Sequence, residues 1–172
     1  MTRSGVFVAV VMCALVAGCD DSPTSATNAP VVFSALLSPA NEVPAIANAE
    51  STGRGASQVT FAVTRDSAGA VTGGTATMYF QVNGLPGGTT FRGAHIHSAV
   101  AGVNGPIVVD TGITAVDTVA VPSGSGEFTF SGVTVSAAVM NGILANPSAY
   151  YFNVHTPLNP GGVMRGQLVP VG

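Results

Sequence analysis

Apolar and polar residues alternate along this chain in short runs typical of β-strands. From Val31 onward, runs rich in Val, Phe, Thr, Tyr and Ile recur between clusters of Gly, Pro, Asn and Ser. Evenly spaced runs of this kind indicate a β-sandwich or barrel. We therefore predict one all-β domain, a single antiparallel sandwich or barrel-like fold. The predicted strands are Val31–Ser38, Ser57–Thr64, Thr75–Val82, Thr90–His97, Ile107–Asp110, Gly126–Val133, Ala149–His155 and Val163–Val169.

One segment departs from this alternation and predicts a helix. Residues Ser136–Asn146 are rich in alanine, begin with a serine suited to an N-cap and stop before Pro147. We expect one short helix there, weakened by Gly142. The chain has no repeated unit of roughly 20 to 50 residues, so a solenoid or propeller is not predicted.

The first residues have the pattern of an export signal. Arg3 precedes an apolar run, Gly5–Leu15, and small residues follow it up to Cys19. This pattern predicts a secretory signal that is too short to span a membrane. Its end, Val-Ala-Gly-Cys, resembles the lipobox of bacterial lipoproteins. The resemblance implies a signal peptide over 1–18, lipidation of Cys19 and an anchor in the cell envelope outside the cytoplasm.

The domain organisation follows from the composition on either side of residue 30. Residues 19–30 consist mainly of Ser, Thr, Asn, Asp, Ala and Pro, which favours a flexible tether behind the lipidated cysteine. Residues 31–172 form the predicted β domain. Cys13 leaves with the signal and Cys19 carries the lipid, so no disulfide is expected in the domain.

The charge of the chain limits its partners. Hydrophobic residues make up 47% of the sequence, enough for a core, and only 8% are charged. There is no lysine, and loss of Arg3 leaves four arginines and eight acidic residues, a formal charge of −4. No basic patch is available to neutralise phosphates, so we expect neither nucleic acid nor anionic lipid headgroups as partners. The expected contact with a membrane is the N-terminal lipid.

The three histidines are the main candidates for chemistry. His95 and His97 are two residues apart in a predicted strand, so both project from one face while Ile96 points to the other. In the later strand, His155 shares a face with Asn153, opposite the apolar residues. Three imidazoles brought together would suit one copper or zinc ion.

A hairpin is predicted to add Arg165 to the same surface. The turn Pro157–Gly161 joins the last two long strands, and the alternation places Arg165 and Gln167 on one face. A guanidinium would repel a bound cation unless Glu42 neutralised it. We therefore expect an ion pair between Glu42 and Arg165. The first interpretation of the cluster is structural, with the histidines bonded to backbone carbonyls and to neighbours such as Thr156. A metal site is the second interpretation, and a site for a small anion or ligand is the third.

Three motifs, in order, resemble the CHRD domain, first described in chordin and found in many bacterial secreted proteins. The motifs are Asn41–Pro44, then Ala94–His97 with Asn104–Val108, then Tyr151–Thr156 with Pro160–Leu168, and the resemblance as a whole covers about 32–169. One position departs from the family pattern, because Val163 stands where the family usually has glutamate. Any role of that carboxylate is missing here.

The resemblance implies an extracytoplasmic β domain. The strand order stays open between an immunoglobulin-like and a dismutase-like arrangement. It brings no general activity, so we expect a binding or structural module. The expected partner is an envelope protein or glycan, and a sheet edge offers one route to adhesion. The two-metal centre of copper-zinc superoxide dismutase needs about twice as many histidines as the three present, which excludes that activity.

Motifs for catalysis are scarce. The sequence has no Gly-x-Ser-x-Gly motif, and its glycine-rich segment Asn83–Gly88 lacks the lysine of a phosphate loop. Asp110 and Asp117 both border turn-like segments and are interpreted as turn caps. We expect no catalytic residues.

Overall fold

The computed structural model of the protein describes residues 29–172. The predicted signal peptide, Cys19 and most of the predicted tether lie outside the described residues. The eleven strands of the described part are β1 (Val31–Leu37), β2 (Arg54–Arg65), β3 (Val71–Asn83), β4 (Thr89–Phe91), β5 (Gly93–Ser98), β6 (Ile107–Asp110), β7 (Val119–Val121), β8 (Gly126–Ser136), β9 (Tyr150–His155), β10 (Met164–Gln167) and β11 (Val169–Pro170).

The strands form two main antiparallel sheets, which confirms the predicted all-β fold. The first sheet has the order β11-β1-β2-β3-β8 and the second has the order β10-β9-β5-β6. A small third sheet pairs β4 with β7. Alternate residues of both main sheets turn inward, and their apolar side chains make one core that includes Phe61, Phe80 and Phe152. The centroids of the Phe80 and Phe152 rings, from different sheets, are 5.4 Å apart.

The predicted helix is confirmed as α1 (Ala137–Ala145). The Ser136 hydroxyl caps it by accepting a hydrogen bond from the Val139 N–H at 3.4 Å. Met140 and Ile143 are its buried side chains, and they belong to the core. In residues 29–172, no helix has the length and apolar character needed to cross a membrane.

Two predicted strands are each divided, because the chain changes partner within them. The sequence predicts one strand over Thr90–His97, but Thr89–Phe91 pairs with β7 and Gly93–Ser98 pairs with β6 and β9. The change occurs at Arg92, whose N–H donates to the His155 carbonyl at 2.9 Å. Val163–Val169 likewise divides at Leu168, whose N–H donates to the Tyr150 carbonyl at 2.9 Å. Hydrophobic alternation alone does not reveal such a change of partner.

The predicted hairpin of the last two long strands is confirmed. β9 and β10 pair antiparallel, with Arg165 opposite Asn153 and Gln167 opposite Tyr151. On the other side of β9, β5 places His95 opposite Asn153, and β6 places Asp110 opposite His95. Arg165, Asn153, His95 and Asp110 therefore form one row across all four strands of the second sheet.

Candidate metal centre

The second sheet has one apolar face and one polar face. Ala94 and Ile96 of β5, and Phe152 and Val154 of β9, point into the core. The alternating residues point outward, as the sequence predicted. The outward polar residues are His95, His97, Asn153, His155 and Arg165, and all five are buried. We call this set of five the polar face.

Loops from three parts of the chain cover the polar face. The Asn41 amide donates to the Arg165 carbonyl at 2.9 Å, which fixes the segment after β1. The Asn104 amide donates to the Val43 carbonyl at 2.9 Å, so the β5–β6 loop joins that segment. The β9–β10 loop contributes the Pro160 carbonyl, which contacts His155. The histidines therefore lie beneath backbone and are shielded from bulk water.

His97 and His155 approach each other with their Nε2 atoms. His97 Nδ1 is 2.8 Å from the Gly105 carbonyl oxygen, and His155 Nδ1 is 3.1 Å from that of Pro160. A carbonyl only accepts hydrogen bonds, so in both neutral rings the proton lies on Nδ1 and the Nε2 lone pair is free. The two Nε2 atoms are 3.4 Å apart. Two lone pairs this close need a shared proton or a cation between them.

His95 is oriented in a corresponding way by a carboxylate. Its Nε2 is 3.4 Å from Asp110 Oδ1. Its Nδ1 is buried and has no hydrogen-bond partner within 29–172. In each of the three imidazoles, one nitrogen thus lies next to an oxygen acceptor. The other nitrogen has no hydrogen-bond partner in the described residues except, in the case of His97 and His155, the neighbouring histidine. Histidines that bind metals have this arrangement, because the outer acceptor fixes the ring and its tautomer.

The spacing of the histidines fits a metal ion with little movement. One ring nitrogen from each histidine lies within 4.8 Å of the other two. With metal–nitrogen bonds of about 2.0 Å, the 3.4 Å between His97 Nε2 and His155 Nε2 corresponds to an N–metal–N angle of about 115°. That angle lies between the tetrahedral and trigonal values. Only His95 has to move closer to complete a three-nitrogen site.

The pKa values of all three histidines are lowered, which favours the neutral form that can bind a metal. Burial is the main cause for each ring, and it lowers the pKa of His155 to about 4. The neighbouring histidines add to the effect on His155, and Arg92 adds further. The charge of Arg165 lowers the pKa of His97, while Asp110 acts in the opposite direction on His95. A shared proton between His97 and His155 is therefore disfavoured at neutral pH.

Arg165 lies beside the histidines and holds the covering loops. Its Nε donates to the Asn41 carbonyl at 2.7 Å, and its Nη1 donates to Asn104 Oδ1 at 2.8 Å. Its guanidinium carbon is 4.7 Å from the centroid of the Tyr151 ring. His97 stacks on the same Tyr151 ring, with centroids 4.9 Å apart. Tyr151 thus connects the guanidinium to the histidine cluster.

The structure places Glu42 next to Arg165, with Glu42 Oε2 at 3.7 Å from Arg165 Nε. Burial raises the pKa of Glu42 to about 7, although the charge of Arg165 opposes the shift. Glu42 is therefore only partly ionised at neutral pH. Glu42 Oε1, Asn153 Oδ1 and Arg165 Nη2 are buried and lack partners in the described part of the chain. The polar face is thus incompletely satisfied by the groups of residues 29–172.

A second buried carboxylate was missed from the sequence. Glu50 Oε2 accepts hydrogen bonds from Thr156 Oγ1 at 2.6 Å and from the Asn159 amide. Asn48 and Asn159 also exchange hydrogen bonds. The Asn48 amide donates to Asn159 Oδ1 at 2.8 Å, and the Asn159 amide donates to Asn48 Oδ1 at 3.3 Å. Thr156, expected among the neighbours that support the histidines, bonds to Glu50 instead. The Asn159-Pro160-Gly161-Gly162 turn after β9 is a turn signal in the sequence, and nothing in it indicates a distant glutamate.

The residue that departs from the family pattern, Val163, lies in an apolar environment in this structure. Val163 is fully buried in the core, and its N–H donates to the Val154 carbonyl at 2.7 Å. Asp110, interpreted as a turn cap, accepts from the Gly112 N–H at 2.8 Å and also faces His95. Its place opposite His95 in the sheet depends on the strand order, which the sequence left open.

Comparison with family models identifies one match. The model of the CHRD domain matches residues 33–168, which contain the whole second sheet, most of the first sheet and the three histidines. Searches of curated proteins and of solved structures gave no match.

Proposed function

Since the chain belongs to the CHRD domain family, we propose that it is an extracytoplasmic, lipid-anchored binding module that holds one copper or zinc ion on His95, His97 and His155. The module is proposed as non-catalytic, and its stable β domain serves to carry the ion. The proposed binding partner of the module is an envelope protein or glycan.

The observation that carries the metal proposal is the pairing of His97 with His155. Their Nε2 atoms are 3.4 Å apart, while both Nδ1 atoms are directed at carbonyl oxygens. A purely structural cluster would gain from hydrogen bonds between the rings, yet no N–H is available between these two lone pairs in the neutral tautomers. A cation with nitrogen-binding chemistry satisfies both lone pairs at once.

The anchor part of the proposal is supported by the sequence alone. The segment Val16–Cys19 and the apolar run before it have the pattern of a lipoprotein signal. Lipid chains on Cys19 would hold the domain at a membrane surface without a basic patch, which suits a chain with no lysine.

Elemental analysis of the full-length chain, purified in mild detergent without a histidine tag, tests the metal. We expect close to one copper or zinc ion per chain in the wild type and almost none in His97→Ala. Gln167→Ala is the matched control, because Gln167 lies on the same sheet face and bonds to the Ala99 and Ser148 carbonyls instead of a histidine. A folded wild type that takes up neither ion would overturn the metal proposal.

Cell fractionation tests the anchor separately. The variant Cys19→Ser should move from the membrane fraction to the soluble fraction while its metal content after purification stays unchanged. If the variant remains in the membrane fraction, the lipid anchor on Cys19 is wrong and the metal site is unaffected.

A further inference from the structure

We infer that Tyr151 is a positioning residue of the histidine cluster, which keeps the proton of His97 on Nδ1 and leaves His97 Nε2 free for a metal ion. This role deepens the proposed function and rests on it for the metal. The place of the His97 proton can be measured with or without an ion.

The Tyr151 hydroxyl and the His97 ring meet at the same residue, Gly105. The Gly105 N–H donates to the Tyr151 hydroxyl at 3.2 Å, and the Gly105 carbonyl oxygen is 2.8 Å from His97 Nδ1. Tyr151 is only 2% exposed, so its hydroxyl is removed from water and depends on partners within the protein. Two hydrogen bonds in series therefore connect the Tyr151 hydroxyl to the imidazole.

Gly105 is the residue whose orientation these two bonds fix. Glycine has the most permissive backbone of all residues, and a side chain has no room here, because a Cβ would collide with the Ser98 carbonyl oxygen. The next residue, Pro106, is held at its own carbonyl by the Ser98 N–H at 3.0 Å. The Tyr151 hydroxyl holds Gly105 from the other side, so both ends of this short segment are fixed and its carbonyl is directed at His97.

The ring of Tyr151 makes contacts that a phenylalanine would keep. Its plane is 8° from that of the His97 ring, with centroids 4.9 Å apart. His97 lies on β5 and Arg165 on β10, and these strands flank β9 on opposite sides. The Arg165 guanidinium carbon is 4.7 Å from the Tyr151 centroid. Tyr151→Phe therefore removes the bond to Gly105 and leaves the ring contacts in place.

Loss of that bond favours a competing form of the cluster. His97 Nε2 and His155 Nε2 are 3.4 Å apart, so a proton on His97 Nε2 would be donated to His155. In that tautomer the two nitrogens satisfy each other, and His97 Nδ1 no longer donates to Gly105. In the tautomer that the Gly105 carbonyl selects, both Nε2 lone pairs stay free. The Tyr151 hydroxyl thus favours the form that can bind an ion over the form that bonds to itself.

Nuclear magnetic resonance tests the proton position in the full-length, untagged and metal-free chain in detergent. The chain is labelled with ¹⁵N, and long-range ¹H–¹⁵N spectra at neutral pH show which imidazole nitrogen carries the proton. We expect the proton of His97 on Nδ1 in the wild type, and a clearly measurable population with the proton on Nε2 in Tyr151→Phe. The same tautomer in both proteins overturns the inference.

Two controls belong to this measurement. His155 is the internal reference, because its Nδ1 contacts the Pro160 carbonyl and should keep its proton in every variant. Tyr150→Phe is the matched variant, since the Tyr150 side chain packs on the core beside Gly142 of α1 and makes no contact with a histidine ring. It should leave the His97 tautomer unchanged.

Metal affinity tests the consequence for the site. Zn²⁺ and, without oxygen, Cu⁺ are titrated separately against chelating indicators. We expect Tyr151→Phe to bind one ion per chain with an affinity about tenfold below that of the wild type, and Tyr150→Phe to bind as the wild type does. Equal affinities in the two variants overturn the inference and leave the proposed function intact. A wild type that binds neither ion overturns the proposed function, and the spectra then decide alone whether Tyr151 holds the His97 proton.

Discussion

The outward faces of the two main sheets differ in what covers them, although both are polar. On the five-stranded sheet, Gln58, Gln81 and Thr129 point outward and are exposed to solvent. On the four-stranded sheet, the polar face lies beneath loops and is buried. The first face, on which the charged Glu127 lies opposite Gln81, is satisfied by water. The second contains groups that need specific partners, so the same alternation of polar residues makes a plain surface in one sheet and a site in the other.

Removal of Arg165 should produce the largest contrast between the faces. Arg165→Ala breaks the bonds to Asn41 and Asn104 and leaves Glu42 buried without its counter-charge. We expect a loss of about 3–5 kcal/mol in the free energy of unfolding. Gln81→Ala, on the exposed face, should change it by less than about 0.5 kcal/mol. Urea unfolding curves of the two variants measure the difference, and equal losses would contradict this view of the polar face.

Acid should weaken the buried face next most strongly, through His155. Its pKa is about 4 in the folded protein, against an ordinary value of 6.5 for a free histidine side chain. Because this pKa is lowered in the folded state, the contribution of neutral His155 to the free energy of unfolding is present above pH 6.5. It is lost as the pH falls to about 4. The full loss is about 3 kcal/mol.

The measurement is the difference in unfolding free energy between metal-free wild type and His155→Gln from pH 7.5 to pH 4. Taking the difference cancels contributions from other groups that both proteins share. The advantage of the wild type should shrink across that range. A constant difference would show that His155 titrates normally in the fold.

Glu42 should give a somewhat smaller effect with the opposite sign. Its folded-state pKa of about 7 is above the ordinary value of 4.5, so its contribution is present below pH 4.5 and is lost as the pH rises through 7. The stability of wild type relative to Glu42→Gln should therefore fall by roughly 2–3 kcal/mol between pH 4.5 and pH 8. Guanidinium unfolding at these two pH values checks the sign, and a rise would contradict the raised pKa.

The addition of a single methyl group at Gly93 should give the smallest of these effects on stability. A Cβ at Gly93 would be 2.5 Å from Cε1 of the buried His95 ring, whereas a Cβ at Gly161 has no atom within 4 Å. Gly93→Ala should cost about 1 kcal/mol and weaken metal binding at least tenfold by displacing the ring. Gly161→Ala should leave both unchanged. Thermal unfolding and metal titration of both variants would show whether the site needs the space that Gly93 leaves for the His95 ring.

Much of the fold could be predicted because it depends on local patterns. The alternation in β9 placed Phe152 in the core and His155 outside, and Ser136 marked the start of the helix. The hairpin of β9 and β10 followed from a short turn. What failed depended on partners distant in sequence. The division of Thr90–His97 at Arg92 requires knowing that β4 pairs with β7, and no residue in that run signals it.

The candidate site was predictable in its members and not in its surroundings. His95 and His97 were placed on one face by their spacing, and His155 was placed with Arg165 by the hairpin. The burial of this face could not be foreseen, because it is produced by loops that have no hydrophobic pattern of their own. Glu50 was missed for the same reason, since its partners Thr156 and Asn159 lie more than 100 residues away in the sequence.

The pairing of the first strand has a consequence for how the protein is made. β1 pairs with β11 through Ser34 and Val169, and Ser38 forms a bridge with Arg165. The start and end of the domain thus close on each other, and the β9–β10 hairpin completes the polar face. A nascent chain that stops before Arg165 has neither the edge strand β11 nor Arg165. The first sheet and the polar face can therefore be completed only after residues up to Pro170 have been synthesised.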